Sequence, residues 1–315
     1  MIISFECCDF QGRKLCFDFL YSIIKKFLLT TAKELMKELI TVSNTSSVAD
    51  ALRKMVHDDI SRVIISQDSE PIGVVTERDI GLFLLTEQTE RKIDEIPITE
   101  LMSKLVTVNQ ITTIEDCAKV MVERDIGSLG INMNGKTIGI LTRTDLTRYY
   151  ITKFVGQKRV GDVMTISFIT CYGDEPIYEA LSSMITQKVS RIIVKDRTEK
   201  PIGVISFRDL FRLSIVLGKE EEIIDNSSGI SILFSRRGLV SKTGFGATTQ
   251  IKEAMTPKMI TVEHDDDLTM ACITLIESEI NAASVLVNGK LTGILSKTDV
   301  VRAIATIAKM KKDTI

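Results

Sequence analysis

The sequence predicts an α+β protein built from four tandem copies of a strand–helix–strand–strand–helix unit. The first observation behind this prediction is a stretch from Pro71 to Ile80 that is written four times. Its skeleton is glycine, two apolar residues, threonine or serine, two variable residues, aspartate and an aliphatic residue. The second observation is that an apolar segment of strand length precedes every copy and a helical pattern follows it. Four copies in register indicate a repeat architecture. The other copies cover residues 137–146, 201–210 and 291–300.

The elements follow the same order in each repeat. In the first repeat, residues 40–42 predict a short strand, and residues 48–55 carry apolar side chains on one helical face. Two apolar segments, 63–65 and 72–75, then predict a hairpin, and the repeated stretch starts a second helix. Each repeat opens with an apolar residue followed by methionine: Leu35-Met36, Leu101-Met102, Val163-Met164 and Ala254-Met255.

Differences between the copies alternate along the chain and predict that the repeats act in pairs. Repeats one and three share Ser-Arg before the central strand, whereas repeats two and four share Asn-Gly-Lys at the hairpin turn. One small sheet with two helices leaves an apolar face that a partner repeat must bury. The predicted divisions are an N-terminal extension (1–30), a first pair (31–151, repeats 31–85 and 98–151), a second pair (158–305, repeats 158–215 and 249–305 around an insertion, 216–248) and a C-terminal tail (306–315).

The hydroxyl and the carboxylate of the repeated motif meet where a strand ends and a helix begins. The aspartate falls in the first helical turn, beside exposed backbone N–H groups and the positive end of the helix dipole. Anions also bind well at such a helix start. A single Thr-x-x-Asp is most simply a capping box. Four copies, each after a glycine and a strand, favour a binding role in addition to capping.

Composition excludes several classes of function. The formal net charge of −2 argues against a nucleic-acid-binding protein, and no apolar run reaches the roughly 18 residues that span a bilayer. Six cysteines without a disulfide framework predict a reducing, cytoplasmic location. Only two histidines are present, His57 and His264, and neither lies in a cluster with metal-ligand spacing, so no metal site is expected.

Two segments stand outside the repeats. Residues 1–30 contain apolar side chains at helical spacing, which predicts a helix packed on the body of the protein or against a second copy in a homodimer. A membrane-surface helix is the alternative. The insertion, 216–248, is acidic at first and then basic and glycine-rich. We interpret it as a solvated excursion, with a loop over one site as the alternative.

The opening methionine, the short strand and the Gly-apolar-apolar-[Thr/Ser]-x-x-Asp ending resemble CBS repeats over about residues 31–305. Four repeats on one chain are similar to the gamma subunit of AMP-activated protein kinase. The resemblance implies that two repeats form a CBS pair (a Bateman module) and that two pairs form a flat disc with nucleotide clefts. It also implies a regulatory, energy-sensing protein that binds AMP, ADP or ATP and acts on a partner protein, which the sequence does not identify.

The resemblance assigns roles to four sets of residues. The aspartates would hold the ribose hydroxyls: Asp79, Asp145, Asp209 and Asp299. The hydroxyl residues would contact ribose or phosphate: Thr76, Thr142, Ser206 and Ser296. The arginines of Ser-Arg, and two cations within the even motifs, would reach phosphates: Arg62, Arg191, Arg143 and Lys297. Backbone near the opening strands would meet the adenine: Ile40, Val106, Ile169 and Ile260.

The chain departs from the gamma subunit in two ways. All four aspartate positions are filled, and serines, Ser61 and Ser190, stand where the family has central histidines beside the arginines. The number of occupied sites and the number of bound phosphates therefore do not transfer. Three alternatives stay open: another adenosyl ligand such as S-adenosylmethionine, a structural scaffold with unoccupied clefts, and an enzyme.

The enzyme alternative depends on one motif. Residues 130–137 fit the G-x-x-x-x-G-K-[ST] pattern of phosphate-binding loops. Such a loop must lead from a strand into a helix. Asn134-Gly135 predicts a hairpin turn instead, and an apolar strand pattern continues after it. We therefore expect no enzyme of the P-loop NTPase type.

Overall fold

A computed structural model describes residues 30–86, 91, 93–210, 245–257 and 259–313. The helix predicted within residues 1–30 falls on residues that, apart from residue 30, lie outside the described ranges. The predictions for residues 216–244 of the insertion also lie outside these ranges. Within the described ranges, no helix combines the length and the apolar character that a membrane crossing demands.

The predicted α+β class and the order of elements are confirmed in repeat one. Strand β1 pairs parallel with β2, and β2 pairs antiparallel with β3. The parallel pair requires a crossover, which the first long helix provides. The hairpin turns at Asp68 and Ser69, which both have positive φ. The elements are α1 (Ala32–Leu35), β1 (Thr41–Ser43), α2 (Val48–His57), β2 (Arg62–Gln67), β3 (Glu70–Thr76) and α3 (Glu77–Thr86).

Repeat two has the same three-stranded sheet, in the order β4–β5–β6. A short 3₁₀ turn, Ile98–Glu100, precedes it. Its hairpin turns at Asn134 and Gly135, whose φ values of 52° and 84° suit the right-handed twist of the flanking strands. The elements are β4 (Thr107–Asn109), α4 (Ile114–Glu123), β5 (Ser128–Met133), β6 (Lys136–Thr142) and α5 (Arg143–Lys153).

Repeat three begins after a second 3₁₀ turn, Val160–Asp162. Its sheet gains a fourth strand, β10, which comes from the start of repeat four. The helix that follows the sheet is described only over residues 207–210. The other elements are β7 (Thr170–Tyr172), α6 (Ile177–Thr186), β8 (Arg191–Lys195) and β9 (Pro201–Ser206).

Repeat four closes the chain. Its last helix runs to Asp313, so residues 306–313, which the repeat spacing assigned to a tail, continue the helix. A short helix, α7 (Phe245–Thr248), precedes the repeat. The elements are α8 (Ile251–Ala254), β10 (Thr256–Pro257), β11 (Thr261–Glu263), α9 (Leu268–Glu277), β12 (Ala282–Val287), β13 (Lys290–Ser296) and α10 (Lys297–Asp313).

The opening segment of each repeat packs on the neighbouring repeat and not on its own sheet. In repeat one, the Lys37 N–H donates to the Ile140 carbonyl of repeat two at 2.8 Å. The opening segment of repeat two packs on repeat one in return, where Ser103 and Val74 exchange two backbone hydrogen bonds of 2.9 and 3.0 Å. Repeats three and four exchange their segments in the same way, through Thr165 on Ile294 and through β10 on β9. The exchange joins repeat one to two and repeat three to four.

A methionine from each exchanged segment lies against the motif glycine of the neighbouring repeat. A Cβ atom added to Gly139 would lie 2.7 Å from the Met36 Sδ and 2.8 Å from the Lys37 carbonyl oxygen. The equivalent pairs are Met102 on Gly73, Met255 on Gly203 and Met164 on Gly293. Only glycine leaves room for this approach of backbone to strand.

The helices join the two pairs crosswise. One hydrophobic core contains buried residues of repeats one and three, and a second contains buried residues of repeats two and four. In the first core, the Phe207 ring lies where a side chain on Gly81 would stand. In the second, α10 packs against α4 and α5. Each repeat therefore touches two others, and the four close into a ring, which is the arrangement of the predicted disc.

We predict that Gly139→Ala destabilises the fold by about 1–3 kcal/mol, because the added methyl group would overpack a site already filled by Met36. Chemical denaturation would measure the change, with Met36→Ala and the double variant completing a mutant cycle. Part of the cost should disappear on the Met36→Ala background, because the blocking side chain is then gone. A neutral Gly139→Ala would contradict the exchanged packing.

Candidate functional site

Each repeated motif places a carboxylate at the start of a helix without any intervening loop. Thr142 ends β6 and is also the N-cap of α5. The Asp145 Oδ2 accepts hydrogen bonds from the Thr142 N–H at 2.9 Å and from its Oγ1 at 2.6 Å. The same pair of bonds, between 2.6 and 2.8 Å, joins Thr76 to Asp79, Ser206 to Asp209 and Ser296 to Asp299. The capping interpretation is therefore correct for one carboxylate oxygen in all four motifs.

The other oxygen, Oδ1, faces away from the cap, and in three of the four motifs it meets the exchanged segment of the neighbouring repeat. The residue after the methionine reaches it in three motifs. Lys37 Nζ lies 3.2 Å from the Asp145 Oδ1, and the Thr165 and Thr256 hydroxyls donate to Asp299 and Asp209 at 3.0 Å. These three residues were not predicted from the sequence. The sequence feature that could have indicated them is their position directly after an opening methionine.

The predicted phosphate residues converge on the middle of the ring. Arg62 and Arg143 both approach Gly127, where an added Cβ would lie 2.9 Å from the Arg62 Nη1 and 3.4 Å from the Arg143 Cζ. Burial, together with the neighbouring Arg143, lowers the pKa of Arg62 to about 10. Burial also lowers the pKa of Arg143. Two guanidinium groups from the same pair therefore lie side by side, and both residues are partly buried.

Arg191 and Lys297 bring cations from the other pair. Burial lowers the pKa of Arg191 to about 10, and the buried Arg191 Nε has no hydrogen-bond partner among the described residues. Lys297 is only 7% exposed, and its Nζ donates to the Thr144 Oγ1 at 3.2 Å. Burial, with the charges of Arg148 and Arg191, lowers the pKa of Lys297 to about 8. Lys297 thus reaches from repeat four to repeat two.

Two further charged residues, which were not predicted, link repeats one and three. The Arg208 Nε lies 3.0 Å from the Glu77 Oε1, and its Nη1 lies 2.9 Å from the Asp59 Oδ1. Burial raises the pKa of Glu77 even though Arg208, Arg62 and Arg191 all act to lower it. Glu77 is the first variable residue of the motif in repeat one, and Arg208 is the second variable residue of the motif in repeat three. Glu77 is the first residue of its helix, as are Arg143 and Lys297 of theirs.

We call Arg62, Arg143, Arg191, Arg208 and Lys297 the central cation cluster. Its members come from all four repeats, and Glu77 lies among them as a counter-charge. Burying a charge is unfavourable unless a partner compensates it. The arrangement therefore attracts an anion with several oxygen acceptors, for which arginine offers a fixed fork of donors.

The four backbone positions predicted to meet an adenine occupy equivalent places beside the opening strands. Their carbonyl oxygens already accept hydrogen bonds of 2.9 to 3.1 Å from the adjacent central strands. Among the described residues, their N–H groups donate no backbone hydrogen bond, so these groups are available to a ligand. The residues are Ile40, Val106, Ile169 and Ile260.

The segment that fits the phosphate-binding-loop pattern is a hairpin. Residues 130–133 belong to β5, residues 136 and 137 belong to β6, and the Gly135 N–H donates to the Asn132 side chain at 3.0 Å. No helix follows the turn, so its N–H groups do not form a phosphate cradle. In the part of the chain that the structure describes, no group of three or more histidine, cysteine, aspartate or glutamate residues could hold a metal ion.

Comparison with protein families gives one match, repeated four times. The model described as "CBS domain" matches residues 32–84, 95–152, 160–215 and 251–306. Among solved structures, a Methanocaldococcus jannaschii protein described as a candidate archaeal homologue of g-AMPK aligns with a TM-score of 0.74 and 19% identity, over 88% of this chain and 100% of that one. At this identity the likeness shows the fold.

Curated relatives are similar over part of their length. An uncharacterised M. jannaschii protein is 24% identical over 283 residues, which are 88% of this chain and 62% of that protein. The L-aspartate semialdehyde sulfurtransferase of the same organism is 29% identical over 144 residues, which are 42% of this chain and 28% of that enzyme. The chain thus spans less than two thirds of the length of these relatives.

We predict that Glu77→Gln destabilises the ligand-free protein by less than the roughly 3 kcal/mol typical of breaking a buried ion pair, because burial already opposes the ionised carboxylate that Arg208 stabilises. Chemical denaturation at low salt would measure it, with the exposed Glu70→Gln as the matched control. Sulfate or phosphate should stabilise the variant more than the wild type, because either anion would replace the missing negative charge. Equal stability of Glu77→Gln and Glu70→Gln would show that Glu77 does not balance the cluster.

Proposed function

Because the chain belongs to the CBS domain family, we propose that it binds the adenine nucleotides AMP, ADP or ATP and signals their presence to a regulated partner protein. The observation that carries this proposal is the central cation cluster beside four helix-start carboxylates. A nucleotide offers a matching pair of groups, a ribose diol for the carboxylate and phosphates for the cations. For the partner, we propose only that it is a protein whose activity responds to the bound nucleotide.

The carboxylate geometry supports ribose recognition. Oδ2 is used in the cap, and Oδ1 can accept hydrogen bonds from both vicinal hydroxyls of a ribose. Each such bond to a charged acceptor contributes roughly 1.5–3 kcal/mol. The adjacent N–H groups, such as that of Val106, would donate to adenine ring nitrogens. In this scheme the hydroxyls of Thr76, Thr142, Ser206 and Ser296 position the aspartates, because they are already donating to them.

The central cation cluster favours a ligand that carries phosphates over an uncharged or cationic ligand. S-adenosylmethionine carries a positive sulfonium, which Arg62, Arg143 and Arg191 would repel. An empty structural scaffold would gain nothing from burying these cations and would lose stability from their mutual repulsion. A phosphate near Arg191 would also supply an acceptor for its buried Nε, which lacks one among the described residues.

We propose binding without turnover, since the one segment with a phosphate-binding-loop pattern is a hairpin. Cys117, Cys171 and Cys272 are free thiols in the described structure, which suits the reducing, cytoplasmic location that the sequence predicts. A homodimer through residues 1–30 stays a prediction, because those residues are almost entirely outside the described ones.

Arg62→Ala and Arg191→Ala should each weaken ADP and ATP binding about ten- to a hundredfold, the value of one charge-assisted hydrogen bond. Adenosine binding should change far less, because adenosine has no phosphate for these arginines to contact. Isothermal titration calorimetry of each variant with adenosine, ADP and ATP would measure the difference. Arg124→Ala, at the exposed end of α4, is the control. Equal losses for adenosine and ADP would contradict the phosphate role.

Nucleotide affinity should fall as pH rises from about 7 to 9. Lys297 has its pKa lowered to about 8 in the ligand-free protein, and a phosphate favours its charged form. Binding must therefore take up a proton in this range, and affinity should fall by up to tenfold per pH unit above pH 8. Over the same range the free energy of unfolding of the ligand-free protein increases. Lys297 loses its proton at a lower pH in the folded chain than in the unfolded chain, so the folded chain no longer holds a buried charge.

The measurement is calorimetric titration with ADP in two buffers of different ionisation enthalpy, which reports the proton uptake directly. The phosphates stay ionised throughout, since their second pKa is near 6. Lys297→Arg should flatten the pH profile, because arginine stays charged. A profile that is unchanged in Lys297→Arg would rule out Lys297 as a phosphate contact.

A further inference from the structure

The first variable residue of the motif starts a helix in every repeat. In repeats one, two and four its backbone N–H donates to the carbonyl that precedes the central strand, at 3.0 to 3.3 Å. The four positions are equivalent in the motif, but their charges differ. The residues are Glu77, Arg143, Phe207 and Lys297. Of these four, Glu77 is the one that carries a negative charge.

Two of these residues make the same kind of contact between the pairs. The Glu77 Oε1 lies 3.0 Å from the Arg208 Nε, and the Lys297 Nζ donates to the Thr144 Oγ1 at 3.2 Å. In both contacts, the first variable residue of one motif meets the second variable residue of a motif in the other pair. The Glu77 carboxylate therefore lies where the two pairs meet.

The Glu77 carboxylate also acts on two arginines that the proposed function assigns to phosphates. Arg62 pairs with Thr76 across the β2–β3 hairpin, so it lies beside the start of the same helix. Burial lowers the pKa of both Arg62 and Arg191, and the strongest influence opposing this is the charge of Glu77. The Glu77 side chain is 16% exposed, so solvent screens these interactions less than it screens a surface pair. The chain therefore holds an anion of its own among the cations that would bind a phosphate.

We propose that Glu77 competes with the phosphates of the ligand for the central cation cluster, and thereby sets how strongly the chain discriminates among adenosine, AMP, ADP and ATP. This inference rests on the proposed function and names a residue that determines its specificity. Without ligand, Glu77 compensates part of the buried positive charge. When a phosphate reaches Arg62 or Arg191, the same carboxylate repels it, because bringing like charges together away from water costs free energy.

The repulsion should grow with the number of phosphates. Adenosine is uncharged and meets none of it. AMP brings one phosphate, and ADP and ATP bring further negative charge that must share the same cations with Glu77. Glu77 therefore makes the affinity gained from each added phosphate smaller than the cations alone would give. With glutamate at this position, the chain responds to phosphorylated nucleotides over a higher range of concentration.

The test is isothermal titration calorimetry of the full chain with adenosine, AMP, ADP and ATP. Glu77→Gln keeps the size of the side chain and removes its charge. We expect it to bind ADP and ATP about ten- to a hundredfold more tightly than the wild type, the range of a single charged interaction. AMP should gain less, and adenosine binding should stay unchanged. Glu77→Ala makes the same change in charge and takes the place of Glu77→Gln if that variant does not fold.

Two control variants separate competition for the cations from the loss of an ion pair. Asp59→Asn removes a second ion-pair partner of Arg208, whose Nη1 lies 2.9 Å from the Asp59 Oδ1. The Asp59 side chain is 49% exposed, so its charge is largely screened, and the nucleotide affinities of this variant should match those of the wild type. Glu77→Asp keeps the negative charge and should retain the wild-type order of affinities among the four ligands.

Unchanged or weaker ADP binding in the uncharged variants would overturn the inference, since Glu77 would then position the arginines and not compete with the ligand. Adenosine binding that tightened by the same factor as ADP binding would also overturn it, as would tighter ADP binding in Asp59→Asn. These outcomes would leave nucleotide binding itself intact. Failure of the wild type and of every variant to bind any phosphorylated nucleotide would overturn the proposed function together with this inference.

Discussion

A methionine lying on the motif glycine of the neighbouring repeat is the contact on which the rest of the molecule depends. Met36 on Gly139 and its three equivalents bring the exchanged segments close enough for backbone hydrogen bonds to form. In three of the four motifs, the residue after the methionine then lies beside the aspartate of the neighbouring repeat. The packing that holds a pair together thus also builds the second half of each candidate site, and neither repeat of a pair has a complete site alone.

Charge is distributed unevenly over this framework. The net charge of the chain is small, but the central cation cluster gathers cations from all four repeats. The lowered pKa values of Arg62, Arg191 and Lys297 show that burial opposes their charge. Glu77 compensates part of it from within the chain. A polyanion would compensate more, which gives ligand binding a source of free energy that an apolar core would not have.

Much of the fold could be predicted from the sequence, because its evidence is written four times. The motif aspartates, the hairpin at Asn134-Gly135 and the order of the strands all follow from local patterns. The exchange of opening segments could not be predicted in this way, since Leu35-Met36 precedes repeat one in the chain and simple adjacency assigns it there. The complementary sizes of methionine and glycine, repeated four times, were the available signal.

The composition of the site was predicted only in part for a related reason. Arg62, Arg143, Arg191 and Lys297 occupy recurring positions and are found near one another. Glu77, Arg208 and Lys37 stand at positions that vary between copies, and variation at a single position has no periodicity to reveal a role. The difference between odd and even repeats was visible as Arg-Asp and Thr-Asp, but the partner of each carboxylate depends on distances that only the structure supplies.

The central claim is that the cation cluster selects a phosphorylated adenine nucleotide, and native mass spectrometry tests it most directly. The purified chain would be equilibrated with equal, low concentrations of adenosine, AMP, ADP, ATP and S-adenosylmethionine, desalted rapidly and weighed. The account predicts mass increments of the phosphorylated nucleotides and none of the other two compounds. Retention of S-adenosylmethionine or adenosine in preference to every nucleotide would contradict it.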